Sequence, residues 1–553
     1  MKTLTWQKPG QQNVAQELIK IIINYVAELR FIIVSIFCGV QNLCAQLAAY
    51  YPNPGRGYMC TNKDIVKKVA NIDLCSVSYY TANAFKYIYL NEIFTDECIS
   101  KYGVLNEDVI YGNIKKYFDK FLNEKSKTRY ILRVFPNNEG NSTRLSTLVD
   151  HPKAKSKKIH IWMPTTMYNI IQRSSYPVIV GKAIYPKYFT TYDQVAIMDY
   201  RNPLVQKVYD TVLRLFAQYL EEEIQAPCIM SDTNMSQYCK RGDLIYCIEM
   251  GFIGSWGEGI TTDYVDYKDS KSLIQIAELY KKHLFRYLLI APSYGMRTNT
   301  TKNPAIYDFQ YYLLTTTYGS KNKNKDGLYY GSKEFGLFMD HLGSSDYLYD
   351  FDLDYLGKPL KDIAKVKHIK APFIGENNGQ FNIGKDLILQ NISDYGVSLV
   401  HLWTAIPLDS ITQQAEYIWQ EAANQLGYAF YLDIAKHTIG IKNGKLKVCF
   451  TIYNKGTSKV YSDIWLPQLV IRNQEDEIQK IIDIDNELDL CTIPSVLNKT
   501  AINHRIIEVS RVLSRQLDGM KIYLRFVDKK HINENMYLIN QKRTDKGEYL
   551  LGF

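Results

Sequence analysis

Two glutamates sit in settings that suit acid–base chemistry. Glu258 ends the glycine-rich run Gly251-Phe252-Ile253-Gly254-Ser255-Trp256-Gly257-Glu258, and Glu376 ends the apolar run Pro372-Phe373-Ile374-Gly375 ahead of Asn377-Asn378-Gly379. Cleaving a glycosidic bond takes one protonated carboxyl to donate to the leaving oxygen. It also takes one ionised carboxylate to attack the anomeric carbon or activate water. Mutual repulsion and partial burial push the two pKa values apart, so that one group serves as acid while the other stays anionic. Either glutamate alone reads equally as a loop carboxylate or half of an ion pair; the chemistry needs both over one hollow.

Other residues qualify as supports. Arg56 and Arg133 suit either a carboxylate, an acidic or hydroxyl-rich substrate, or a structural ion pair. Glu92 suits sugar hydroxyls or a salt bridge to one of those arginines. Trp256 and Trp403 are stacking platforms or core residues, and a high tyrosine content, 45 of 553 residues, adds further rings. His401 precedes Trp403 by two, so on a strand both side chains share one face. Asn377 follows Glu376 directly, and Asp340-His341 ends an apolar run, where it offers a hydrogen bond, tunes a carboxylate, or is structural.

The elements that carry these residues alternate between apolar β-type runs and helical stretches. The strand candidates are 85–93, 129–135, 244–250, 287–291, 335–339, 372–375 and 397–403, with an eighth expected at 159–163 or 178–180. Several are continuously apolar, as parallel strands covered on both faces must be. The segment 202–223 has helical spacing with Pro203 in its first turn. This pattern predicts an α/β fold, a (β/α)8 TIM barrel over residues 50–426, with its largest insertion around 140–200. Glu258 then follows strand four and Glu376 ends strand seven, facing each other across the C-terminal mouth. From residue 427 the pattern alternates with period two, and Asn443-Gly444 between two such runs signals a hairpin. Residues 427–553 thus read as an all-β sandwich domain.

The chain resembles a pair of families that occur together in bacterial exported proteins, a glycosidase-like barrel followed by a β-sandwich. The resemblance rests on Asn53-Pro54-Gly55-Arg56-Gly57-Tyr58, Tyr89-Leu90-Asn91-Glu92, Leu132-Arg133-Val134-Phe135, the stretch 251–258, Gly375-Glu376 and Leu426-Gly427-Tyr428, and it spans about residues 50–550. It implies a sugar-acting barrel without a defined activity. The stretch Phe373-Ile374-Gly375-Glu376-Asn377-Asn378-Gly379 is also similar to the strand-seven nucleophile motif of retaining β-glycosidases with (β/α)8 barrels. That similarity implies Glu376 as nucleophile and Glu258 as acid/base. Those enzymes carry Asn immediately before the acid, where this chain has Gly257, although a Gly-Glu pair is usual in the barrel family resembled above.

Composition narrows the alternatives. With 46% hydrophobic and 22% charged residues, the 553-residue chain is globular. Lys plus Arg less Asp plus Glu is 66 − 57 = +9, without an arginine-rich stripe, so a nucleic-acid partner is not expected. No P-loop, Gly-x-Gly-x-x-Gly or Gly-x-Ser-x-Gly occurs, so neither a nucleotide cofactor nor serine hydrolase chemistry is expected. No metal is expected either: the cysteines lack ligand spacing, and Asp346, Asp350, Asp352 and Asp354 lack the glycine and closing glutamate of a calcium loop. The ten-residue run 31–40, flanked by Arg30 and followed by Ala45, has the layout of an export signal over residues 1–45 and is too short to span a bilayer. The expected function is an exported glycoside hydrolase-like protein cleaving a β-linked oligo- or polysaccharide, with retention favoured. The alternatives are a non-catalytic carbohydrate-binding barrel and a surface interaction protein working through its sandwich. Sugar, linkage and oligomeric state are not legible in the sequence.

Overall fold

Parallel strands need crossovers, and this chain supplies them as helices. In the computed structural model the described residues are 53, 56–60, 83–126, 128–135, 146–154, 157–182, 194–226, 238–251, 269–292, 304–319, 333–344, 360–377, 381–382, 385–402, 407–442, 445–498, 501–512, 519–530, 536, 538–539 and 544–552. All belong to one compact unit, 50–553.

Eight parallel strands close a barrel: Gly57–Cys60, Asn83–Ile88, Arg129–Val134, Ile245–Met250, Leu288–Pro292, Gly336–Leu342, Phe373–Asn377 and Leu399–Leu402. Closure runs through the first strand, which pairs with the eighth from Gly57↔Leu399 to Cys60↔Leu402 and with the second at Cys60↔Ala84. Each strand alternates sides: Ile131 and Phe338 point into the barrel core, whereas Leu132 and Val134, or Leu337 and Met339, pack outward against helices. The helix Pro203–Leu220 shows why the crossovers form. Asn202 caps it by accepting from the Leu204 N–H at 2.8 Å, Pro203 fills the first turn, and Val205, Val208, Val212, Phe216 and Tyr219 bury one face.

The first strand corrects the expected count. The segments 159–163 and 178–180 were candidates for the missing barrel strand. Instead, Lys158–Ile161 and Ile179–Lys182 belong to a separate four-stranded sheet with Thr147–Asp150 and Gln194–Ile197, inserted after the third barrel strand. The true first strand, Gly57-Tyr58-Met59-Cys60, is four residues long with no β-branched member, so nothing local marks it; its two neighbours make it a strand. The fourth to eighth barrel strands overlap the expected positions.

Beyond Gly427 lie two antiparallel sheets. One has three strands, Phe430–Lys442, Lys445–Asn454 and His504–Val512; the other has four, Ile478–Asp483, Trp465–Arg472, Lys521–Asp528 and Tyr549–Gly552. Lys442 pairs with Lys445, the register that a two-residue connection demands. The inward side chains of both sheets, among them Val448, Phe450, Leu469 and Leu524, share one apolar core. That core reaches the N-terminal ends of the barrel strands through Tyr246 and Leu288. Polar contacts fasten the same end. Trp465 Nε1 donates to the Tyr428 hydroxyl at 3.1 Å, and the Thr457 hydroxyl donates to the Val397 and Gln425 carbonyls at 3.1 and 2.9 Å. The sheet-rich C-terminal region therefore covers the base of the barrel and leaves the opposite mouth to the loops.

Candidate active site at the barrel mouth

Side chains that point inward near the C-terminal ends of the strands meet at the mouth. Glu376 is the fourth residue of the five-residue seventh strand, and His401 is the third of the four-residue eighth. The two strands pair with Glu376 opposite His401, and the His401 Nδ1–H donates to Glu376 Oε2 at 2.7 Å. The His401 side chain is 5% exposed and the Glu376 side chain 13%, so the carboxylate is the more accessible partner.

Behind this pair stands a layer of rings. The Phe85 ring lies 4.3 Å from the His401 ring, and the Tyr87 ring 6.4 Å from it. Phe85 and Tyr87 are two apart on the second strand, and so share its inner face. The Arg133 guanidinium lies on the same rings, with its carbon 4.9 Å from the Tyr87 centroid, 5.6 Å from Phe85 and 4.6 Å from Phe338. Arg133 Nη2 donates to Glu249 Oε1 at 2.8 Å, and both side chains are fully buried. Two residues before Glu249 on the same strand, burial holds the Cys247 thiol well above its ordinary pKa, and the Glu249 carboxylate adds to that shift. This thiol stays protonated and is no nucleophile.

The sixth strand reaches Glu376 from the other side through a bulge. Met339 pairs with Gly375 and Leu342 with Asn377, so Asp340 and His341 together oppose Glu376. His341 has φ +62°, a left-handed backbone that a residue with a Cβ adopts at a cost. Asn377, next to Glu376, is buried. Glu92 lies in the short helix Leu90–Ile93 after the second strand, where its Oε2 accepts from the Tyr89 N–H at 3.3 Å in a capping box. The Tyr89 ring stacks on Tyr87 at 6.2 Å, which brings this helix beside the ring layer.

The structure thus brings Glu376, His401, Asn377, Asp340, His341, Arg133 and Glu92 to the C-terminal side of the barrel. Arg56 goes elsewhere. It precedes the first strand, at the base, where its Nε and Nη2 donate to the Leu426 and Asn424 carbonyls at 2.9 Å each. These two donors secure the end of the helix Gln413–Gln425. Arg133 pairs with Glu249 at 2.8 Å. Glu258, Trp256 and Trp403 lie outside the described residues, as does the acidic run Asp346–Asp354. Among the described residues no three His, Cys, Asp or Glu side chains are placed to hold a metal ion, and Cys98, Cys239, Cys247, Cys449 and Cys491 carry free thiols. Glu249, Phe85, Tyr87 and Phe338 were not foreseen. The signal was a charged residue inside each of two apolar runs, Arg133 in RYILRV and Glu249 in IYCIEM, in register on adjacent strands.

Comparison with known proteins adds little to this geometry. No protein-family model matches the chain, and no curated protein matches it. Among solved structures, a Bacillus halodurans protein provisionally named an alpha-N-acetylgalactosaminidase aligns with 83% of this chain and 95% of its own, at 9% identity and TM-score 0.21. OgpA from Akkermansia muciniphila aligns with 51% of this chain and 72% of its own, at 13% identity and TM-score 0.13. Likenesses this distant say nothing of activity, and the functional reading rests on the residues themselves.

Proposed function

We propose that this protein is a glycoside hydrolase-like enzyme of the two-carboxylate type, acting on a β-linked oligo- or polysaccharide. The observation that carries the reading is Glu376, a partly exposed carboxylate at the C-terminal end of the seventh strand of a parallel barrel, with one oxygen held by His401 at 2.7 Å. A carboxylate held by such a hydrogen bond keeps a constant orientation, as attack on an anomeric carbon requires. Glu376 is the nucleophile in this reading, and Glu258, after the fourth strand, is the acid that protonates the leaving oxygen. Retention follows if the two carboxyls stand roughly 5–5.5 Å apart. Asn377, Asp340, His341 and Glu92 supply hydrogen-bonding groups for sugar hydroxyls around the mouth, and Trp256 and Trp403 supply stacking faces. The signal-like layout of residues 1–45 fits a protein exported to meet its glycan.

The test is turnover of the purified protein on a panel of chromogenic glycosides and polysaccharides, with Glu376→Gln and Glu258→Gln as controls. The reading expects activity that falls by orders of magnitude in both variants while glycan binding persists. Glycan binding without turnover in the parent would make the barrel a carbohydrate-binding module, and activity untouched by Glu376→Gln would remove the mechanism.

A further inference from the structure

At the base of the barrel, opposite the mouth, a cavity lies in the seam with the C-terminal sheets. We propose that it binds a small oxyanion that carries a proton, hydrogen phosphate being the species that fits, held by Lys459, Ser495 and His368.

The cavity has a volume of about 190 Å3, space for roughly six waters at about 30 Å3 each. His368 lines it from the turn Lys367–Ile369, which leads into the seventh barrel strand. Cys491 and Ser495 line it from the turn Leu490–Thr492 and the segment after it. Lys459 comes from the connection between the strands Lys445–Asn454 and Trp465–Arg472. The Tyr461 hydroxyl, two residues beyond Lys459, donates to the His368 carbonyl and ties barrel to sheets at this point.

Three lining groups have no protein partner among the described residues. Lys459 is in no ion pair, and its ammonium lies 5.8 Å from the centroid of the Tyr461 ring. Ser495 is 4% exposed and makes no side-chain hydrogen bond. His368 is 6% exposed, and its Nε2 is buried without a partner. Buried polar groups are nearly always satisfied, so such a cluster calls for solvent or an ion. The charge balance selects an anion. No carboxylate lines the space among the described residues. Nearby, Asp463 is paired with Lys529 at 2.7 Å, and Asp489 accepts from the Cys491 N–H at 2.9 Å. Burial pushes the Cys491 thiol up to about 12, so it carries no negative charge to oppose a ligand.

His368 decides which anion. Its Nδ1 lies 3.2 Å from the Lys365 carbonyl, which only accepts, so Nδ1 carries the proton. Burial holds the pKa of the ring below its ordinary value, so at about pH 7 Nε2 is an acceptor. An oxyanion without a proton, such as sulfate, sets a lone pair against that nitrogen. Hydrogen phosphate takes a charge-assisted hydrogen bond from Lys459 and one from the Ser495 hydroxyl, and its own O–H donates to His368.

Calorimetric titration of the purified full chain at about pH 7 with inorganic phosphate, and with sulfate at matched ionic strength, tests this. Saturable binding of a single phosphate per chain is expected, with sulfate weaker by about tenfold, the worth of one hydrogen bond. Lys459→Met is expected to weaken phosphate by about tenfold or more; Lys459 has no protein partner to lose, and melting in phosphate-free buffer checks that the fold is kept. Ser495→Ala is expected to weaken phosphate by several fold. His368→Gln, whose amide both donates and accepts, is expected to bring the two anions close together in affinity. Absence of saturable phosphate binding, phosphate binding that Lys459→Met leaves unchanged, or sulfate bound as tightly as phosphate overturns the proposal. Glycoside turnover plays no part in these measurements, so loss of the Glu376 mechanism leaves them decisive.

Discussion

Arg129, at the start of the third barrel strand, holds both carboxylate oxygens of Asp528 through Nη2 at 2.9 and 3.0 Å, although 399 residues separate the two in the chain. Both side chains are nearly fully buried. Asp528 ends the strand Lys521–Asp528 of the four-stranded sheet, so this contact ties the C-terminal region to the barrel base. A buried pair loses more when broken than it adds when made, since the survivor is left desolvated and unpaired. Asp528→Asn is therefore expected to cost about 3–5 kcal/mol in chemical denaturation. Arg129→Met with Asp528→Met is expected to recover most of that loss. A single variant as stable as the parent would show that the pair is not desolvated as the burial implies.

Gly427 marks the passage from barrel to sheets with φ +73°. A Cβ built there would lie 2.8 Å from Arg56 Cγ and 2.9 Å from its Cβ. Gly427→Ala is expected to destabilise by about 1–2 kcal/mol from the left-handed backbone alone, and further from displacement of Arg56, whose side chain is committed to two carbonyls. Thermal denaturation reads this as a melting temperature several degrees lower. An unchanged melting point would mean that the junction relaxes around the added carbon.

His341 carries its left-handed backbone inside the bulge opposite Glu376. Strain retained beside a reactive group usually serves that group. His341→Gly releases about 1 kcal/mol of backbone cost, so the variant is expected to melt no lower than the parent while glycoside turnover, or glycan affinity, declines. A lower melting temperature with activity intact would assign His341 to packing.

Lys333 is held down to about 8 from an ordinary 10.5 by burial, with its Nζ on the Phe285 and Arg286 carbonyls at 3.2 and 3.0 Å. The unfolded chain keeps this proton up to about pH 10.5, whereas the folded chain releases it from about pH 8. The unfolded state thus binds more protons across that window, so this group makes stability rise with pH there. In paired urea titrations between about pH 7.5 and 10, Lys333→Met is expected to remove that rise relative to the parent. Parallel pH profiles for the two proteins would show that the amine is not perturbed.

Much of the architecture was legible from local pattern. Apolar runs of strand length marked the fourth to eighth barrel strands, and the cap and proline at Asn202-Pro203 marked a helix. The Asn-Gly pair marked a hairpin, and period two placed His401 on an inner face. These signals are legible because each depends on neighbours a few residues away. The first strand escaped because four residues without β-branching carry no such signal, and the inserted sheet supplied two decoys with a stronger one.

By itself the sequence determined which residues could do chemistry and that Glu376 would close an apolar run. Tertiary structure alone decided who stands beside it: His401 at 2.7 Å, the bulge of Asp340 and His341, and a ring layer backed by Arg133 and Glu249. It also decided that Arg56 serves the base of the barrel and not its mouth. The reason is physical. A side chain's periodicity tells which face of its own strand it occupies. Its partners, its burial and its charge state depend on strands brought alongside from far away in the chain, whose register no local pattern encodes.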